Sequence, residues 1–152
     1  MDTVDARTRS KIMSKVRQRN SGPELKLRRA LHHLGLRYRL HDNKLPGTPD
    51  VVFPCYRTAL FVHGCFWHRH GCKATTTPGT NQEFWFKKFD SNVARDQLHL
   101  TQLQDKGWRV VIVWECSLKG KRGQHIEDSV AKRVLDWLKG GEQFIEISFP
   151  LT

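Results

Sequence analysis

The stretch from Val51 to Cys72, VVFPCYRTALFVHGCFWHRHGC, concentrates residues capable of chemistry: three histidines, three cysteines and the pair Phe66-Trp67. Cys65, His70 and Cys72 fall within eight residues, and Cys116 lies just beyond a later apolar run. Thiolates and imidazoles in a set of four are what structural zinc takes in a tetrahedron. A loop supplying three ligands, pinned to a strand end by the fourth, is held without a core of its own. The spacing is not that of a standard zinc finger. A reduced, metal-free set of thiols is the competing account, and a disulfide is disfavoured in a cytosolic chain. Cys55 is the odd thiol and is expected to pack. Phe66-Trp67 sits inside the same loop, where large aromatics are awkward as core. Such a pair is suited to wedging between base pairs, although ordinary burial also accounts for it.

A second constellation surrounds Asp50. Pro49-Asp50 opens one strand, Phe61-Val62-His63 closes another, and Glu24 stands on an earlier helix. The layout resembles the PD-(D/E)xK nuclease plan, with Phe61 in place of the second acid and His63 in place of the lysine. Asp50 is then the one carboxylate on Mg²⁺, with a backbone carbonyl and waters completing the shell. A cation there activates water and neutralises developing charge. His63 and His68 are the candidate bases, their ordinary pKa lying near neutrality. Glu24 is expected to orient one of these imidazoles. Singly, Asp50 could cap a turn and Glu24 could be a surface charge.

These groups need elements to position them. Ser21-Gly22-Pro23-Glu24 signals a helix start, and Leu25, Leu27, Ala30, Leu31 and Leu34 recur at helical spacing up to Gly35. Leu36–Leu40 alternates as an edge strand would. Asp50–Phe53 and Thr58–Val62 read as an antiparallel pair around a turn at 54–57. A long helix is expected from Gln82 to Lys106 through Trp85, Phe89, Val93, Leu100 and Leu103. Trp108–Trp114 is a nearly continuous apolar, β-branched run, as a strand buried on both faces would be. Lys119–Gly123 reads as a basic loop, Ile126–Leu138 as an amphipathic helix, and Gln143–Phe149 as a short strand or a cover for the core. The order implies an α/β domain with a mixed central sheet flanked by helices.

The net charge is +11 and the pI about 9.9. On so small a chain this surplus points to a polyanionic partner, nucleic acid or an acidic membrane surface. No apolar run approaches a membrane span, and MDTVDARTRSK lacks the apolar core of a signal peptide. A cytosolic protein is expected. The length suits one domain over 23–152, preceded by a basic segment, 1–22, ordered on meeting phosphates.

HGCFWHRHGC, together with LPGTPD, EFWFKKFDSNVARD, GWRVVIVWEC and TRSKIMSKV, resembles the very-short-patch mismatch repair endonucleases (Vsr) across about residues 6–138. The resemblance implies a restriction-endonuclease-like fold and a bacterial enzyme of cytosol and nucleoid. It implies Mg²⁺-dependent nicking of one strand beside the thymine of a T:G mismatch in double-stranded DNA. By motif, Asp50 becomes the Mg²⁺ ligand and His68 the general base, with Glu24 and His63 assisting. Val62 would contribute its backbone carbonyl to the Mg²⁺ site. Cys65, His70, Cys72 and Cys116 match structural zinc ligands. Phe66, Trp67 and Trp85 match intercalating aromatics, and Met13 a wedge from the other groove. Lys88 and Asn92 match contacts to the mismatched bases, and with Trp85 they share one helix face at i, i+3 and i+7. Asp96, one turn further, would also reach the active site. A monomer is expected, with general mismatch-repair proteins as further partners. A related nickase of different sequence preference, or a non-cleaving zinc-stapled DNA binder, are the alternatives.

Overall fold

A computed structural model describes residues 20–72, 75–119 and 126–148. Its sheet has five strands in the order β1 (Arg39–Leu40), β2 (Val51–Phe53), β3 (Thr58–His63), β4 (Arg109–Trp114) and β5 (Phe144–Ile147). β1, β2 and β3 pair antiparallel, whereas β4 runs parallel to both β3 and β5. The sheet is therefore mixed, as its sequence order implied. The helices are α1 (Gly22–His33), α2 (Cys65–His68), α3 (Gln82–Asp105) and α4 (Ile126–Leu138).

Several starts and stops have a local cause. Ser21 Oγ accepts the Glu24 amide at the α1 N-terminus, with Pro23 in the first turn. Gly35, at φ +90°, ends that helix in a conformation that penalises side chains. The hairpin turn between β2 and β3 is a 3-10 turn, Pro54–Tyr56, closed by Arg57 in the left-handed region. Cys55 is exposed on that turn, correcting the expectation that it packs. A three-residue turn with both strands buried leaves its middle side chain no core to enter.

Strand periodicity sorts the core into two layers. Val111 and Val113 face α1 and α4, packing with Leu27, Leu31, Val130 and Val134. Val110, Ile112 and Trp114 face the other way, with Phe61, Cys65 and Leu103. β4 is thus buried on both faces from Val110 onward, as its nearly continuous apolar run implied. α3 buries Trp85, Phe89 and Leu103, of which Leu103 joins this layer, and Val93 is exposed. Arg109 ties the sheet to the end of α4, donating to the carbonyls of Trp137, Leu138, Gly140 and Glu142. Gly47, at φ +78°, meets the His99 ring so closely that a Cβ would come within 3.0 Å of it. That contact locks the 41–50 loop against α3. The basic N-terminal segment up to residue 19, Met13 within it, and residues 120–123 of the basic loop lie outside the described residues.

Candidate active site

The parallel strands β3 and β4 end side by side at His63 and Trp114, and the chain leaving them forms the site. Crevices at strand carboxyl ends are where α/β sheets hold ligands. From β3 the chain turns through Gly64 into α2, a single helical turn carrying Cys65, Phe66, Trp67 and His68. From β4 it enters a 3-10 turn, Glu115–Leu118, which carries Cys116.

Three clusters of ligand-type side chains result. In the first, Cys65, His70, Cys72 and Cys116 converge within 4.8 Å of one another. His70 Nδ1 lies 3.7 Å from Cys65 Sγ and 3.6 Å from Cys116 Sγ, and its ring stacks on Trp114 at 4.4 Å. Burial pushes the Cys65 thiol up to about 12; a hydrogen bond from the Cys116 backbone pulls it down, and the neighbouring Cys72 and Cys116 thiols push it up. Such surroundings favour a neutral Cys65 thiol until a cation stands beside it. These four residues could hold a metal.

In the second cluster, His68 Nδ1 meets Asp96 Oδ2 at 2.5 Å, and the His68 ring stacks on His63 at 3.9 Å with 3° between planes. His63 is held down to about 3, first by burial and then by the charge of His68, with Asp96 pulling the other way. A buried neutral ring of that kind is a poor base. His68, half-buried and paired to a carboxylate, is the better placed of the two to take a proton.

The third cluster contains Glu24, His41 and Asp50. Asp50 Oδ2 accepts the Val62 amide at 2.8 Å, which fixes the carboxylate against the end of β3. Glu24, 2 % exposed at the start of α1, accepts from Arg28 at 2.8 Å and meets His41 Nε2 at 3.0 Å. The imidazole it orients is therefore His41, and not His63 or His68 as expected. The reason is strand pairing: the β1–β2 ladder continues one step, with His41 N donating to Asp50 O. Nothing in HDNKLPG announces that step, so His41 was not legible as a site residue. Asp96 was legible only as the next turn of the Trp85–Asn92 face.

Phe66 and Trp67 are half-buried and contact each other edge to face at 5.1 Å. Trp85 has a different place, 3 % exposed and stacked on Phe89, beneath both of them. Lys88 Nζ stands 5.9 Å over the Trp67 ring, and Asn92 donates to the Trp67 carbonyl at 3.2 Å.

The match to known proteins accords with this geometry. The family model described as DNA mismatch endonuclease Vsr matches residues 1–74. DNA mismatch endonuclease Vsr of Escherichia coli is 42% identical over 139 residues, covering 91% of this chain and 88% of that protein. The chain belongs to the Vsr family. Other relatives are the type II nicking enzymes V.XorIIP of Xanthomonas oryzae, 47% identical over 77% of this chain and 86% of its own length, and V.NmeAIP of Neisseria meningitidis, 39% identical over 79% and 86%. The chain is accordingly an endodeoxyribonuclease. Among the described residues, no helix is long and apolar enough to cross a membrane.

Proposed function

We propose that this Vsr-family enzyme nicks one DNA strand 5′ of the thymine in a T:G mismatch, the lesion left when 5-methylcytosine deaminates. The observation that carries this reading is the composition of α2. The aromatic pair Phe66-Trp67 and the base His68 occupy one helical turn. Insertion of the rings beside a mismatch would therefore carry the imidazole to the neighbouring phosphate. Phe66 and Trp67 lead the wedge, and Trp85 backs them from below. Lys88 and Asn92, which border Trp67, read the mismatched bases, and Met13 enters from the opposite groove. The net charge of +11 supplies the phosphate attraction.

Asp50, with the Val62 carbonyl, would hold Mg²⁺, which would supply positive charge for the transferring phosphoryl group and lower the pKa of a nearby water. His68 takes the proton of the attacking water as one phosphorus–oxygen ester bond breaks, and the leaving oxygen takes a proton from solvent. Asp96 holds the ring in the tautomer that leaves Nε2 free to accept, and stabilises the imidazolium that forms. His63, neutral and stacked on His68, fixes the plane of that ring.

Cys65, His70, Cys72 and Cys116 fit Zn²⁺. Ligand bonds of about 2.3 Å to sulfur and about 2.0 Å to nitrogen imply tetrahedral S···N edges of roughly 3.5 Å. The observed 3.6 and 3.7 Å are within two tenths of that. The staple holds α2 at the end of β3, in the cytoplasm of a bacterial cell.

The test is a nicking assay with Mg²⁺ on two labelled duplexes, one carrying a T:G mismatch in a CT(A/T)GG-type site and one fully paired. A single nick in the mismatched duplex alone, abolished in Asp50→Ala, is the expected result. Cleavage of both duplexes would favour a nickase of different preference, a reading supported by the relatives named as nicking enzymes. Tight binding without any nick would leave a zinc-stapled DNA binder.

A further inference from the structure

We propose that His41 is a positioning residue of the nicking centre, acting through Glu24 to set the carboxylate environment of Asp50. The proposal rests on the reading that Asp50 holds the catalytic cation. Glu24 is 2 % exposed, and a buried carboxylate persists as an anion only when donors surround it. Its Oε1 accepts the Asn20 amide at 3.2 Å, and its Oε2 accepts the Arg28 guanidinium at 2.8 Å. His41 Nε2 meets that same Oε2 at 3.0 Å, from the side of β1. Arg28 alone would draw the carboxylate back along α1, because the two are one turn apart on that helix.

The imidazole supplies the opposing pull. Its place is fixed independently, since the His41 amide donates to the Asp50 carbonyl at 3.1 Å as the ladder runs one step past Leu40 and Val51. The His41, Glu24 and Asp50 ligand atoms consequently all lie within 4.8 Å of one another. Glu24, with two donors on one oxygen, is occupied as an acceptor. It is thus better suited to shape a cation's surroundings than to bind the cation directly. The backbone of β1 and β2 therefore delivers a ring that holds Glu24 beside Asp50, and Arg28 holds the same carboxylate from along α1.

The experiment compares wild type, His41→Leu, which removes the donor, and His41→Gln, whose amide N–H can restore it. Mn²⁺ binding to the folded, zinc-loaded protein is followed by electron paramagnetic resonance, beside nicking rates and metal-free affinity for mismatched DNA. We expect His41→Leu to weaken Mn²⁺ binding and slow nicking, each by about tenfold, roughly one hydrogen bond to a charged group. DNA affinity should stay within about twofold, and His41→Gln should recover most of both losses. In a Glu24→Gln background, His41→Leu should add nothing further, as expected of residues acting through one contact. Unchanged Mn²⁺ affinity in His41→Leu, no recovery in His41→Gln, or fully additive losses would each overturn the proposal. Should the leucine variant not fold, Glu24→Gln alone should shift the His41 ring ¹⁵N resonances, and an unmoved ring overturns it equally. Asp50→Ala separates the two ideas: if it still nicks, the reading of Asp50 fails, whatever His41 does.

Discussion

His63 and His68 are stacked 3.9 Å apart, yet their surroundings drive identical side chains to different tasks. His63 is enclosed by Phe61, Trp114 and His68, so its charged form loses water without gaining a counter-ion in contact. His68 has Asp96 at 2.5 Å and remains accessible. Asp96→Asn keeps the shape but removes the charge that steadies an imidazolium. We expect it to lower the nicking rate about 100-fold with DNA affinity unchanged, measured under single-turnover conditions. A rate within threefold of wild type would show that His68 is oriented by something else. Asp50→Ala should be more severe, removing detectable nicking while leaving mismatch binding intact.

At the scale of elements, α2 is one turn long and cannot hold itself, since a helix this short lacks the hydrogen bonds to repay its nucleation. Its anchors are Cys65 in the core layer of β3 and β4, the cysteine–histidine cluster, and Asn92 reaching across from α3. Arg69, just after it, lies over the Phe89 ring and donates to Thr76 and Thr77, folding the following loop back onto α3. Removing the metal, or changing Cys72→Ser, should therefore cost stability on the order of 2–3 kcal/mol and lower the melting temperature by several degrees. Phe66 and Trp67 should become mobile together, so tryptophan fluorescence should change before the main unfolding transition. An unchanged melting temperature after chelation would count against a structural metal.

For the molecule as a whole, the depressed His63 pKa has a consequence for acid stability. Its unfolded value is about 6.5 and its folded value about 3. Between those limits the unfolded chain takes up a proton that the folded one refuses. Stability should fall as the pH drops below 6.5, with a contribution of up to about 1.4 kcal/mol per pH unit, flattening near pH 3. Urea unfolding at pH 7 and pH 5 should reveal it, and His63→Phe should reduce that pH dependence. The basic surplus makes a second global prediction. Affinity for DNA should drop on the order of a thousandfold between 50 and 200 mM salt if about six phosphates are neutralised. A flat salt dependence would mean that the charge of +11 is not spent on the DNA backbone.

What the sequence determined by itself was every element carried by a local signal. The start of α1 followed from Ser21 and Pro23, the β2–β3 hairpin from two short apolar runs around a turn, and the buried β4 from a nearly continuous apolar run. The convergence of the four cysteine and histidine side chains was legible too, because three of them are near one another in the chain. Only the tertiary structure decided the partners of the carboxylates. Glu24 meets His41 because an antiparallel ladder runs one residue beyond its strand, and Asp96 meets His68 because α3 crosses above α2. It also decided that Trp85 lies beneath Phe66 and Trp67 and that Val93 stays exposed. Helical spacing fixes which residues share a face, but how much of that face is covered depends on what packs against it. Short-range chemistry is written in the order of residues; contacts across dozens of positions are set by strand register and helix crossing.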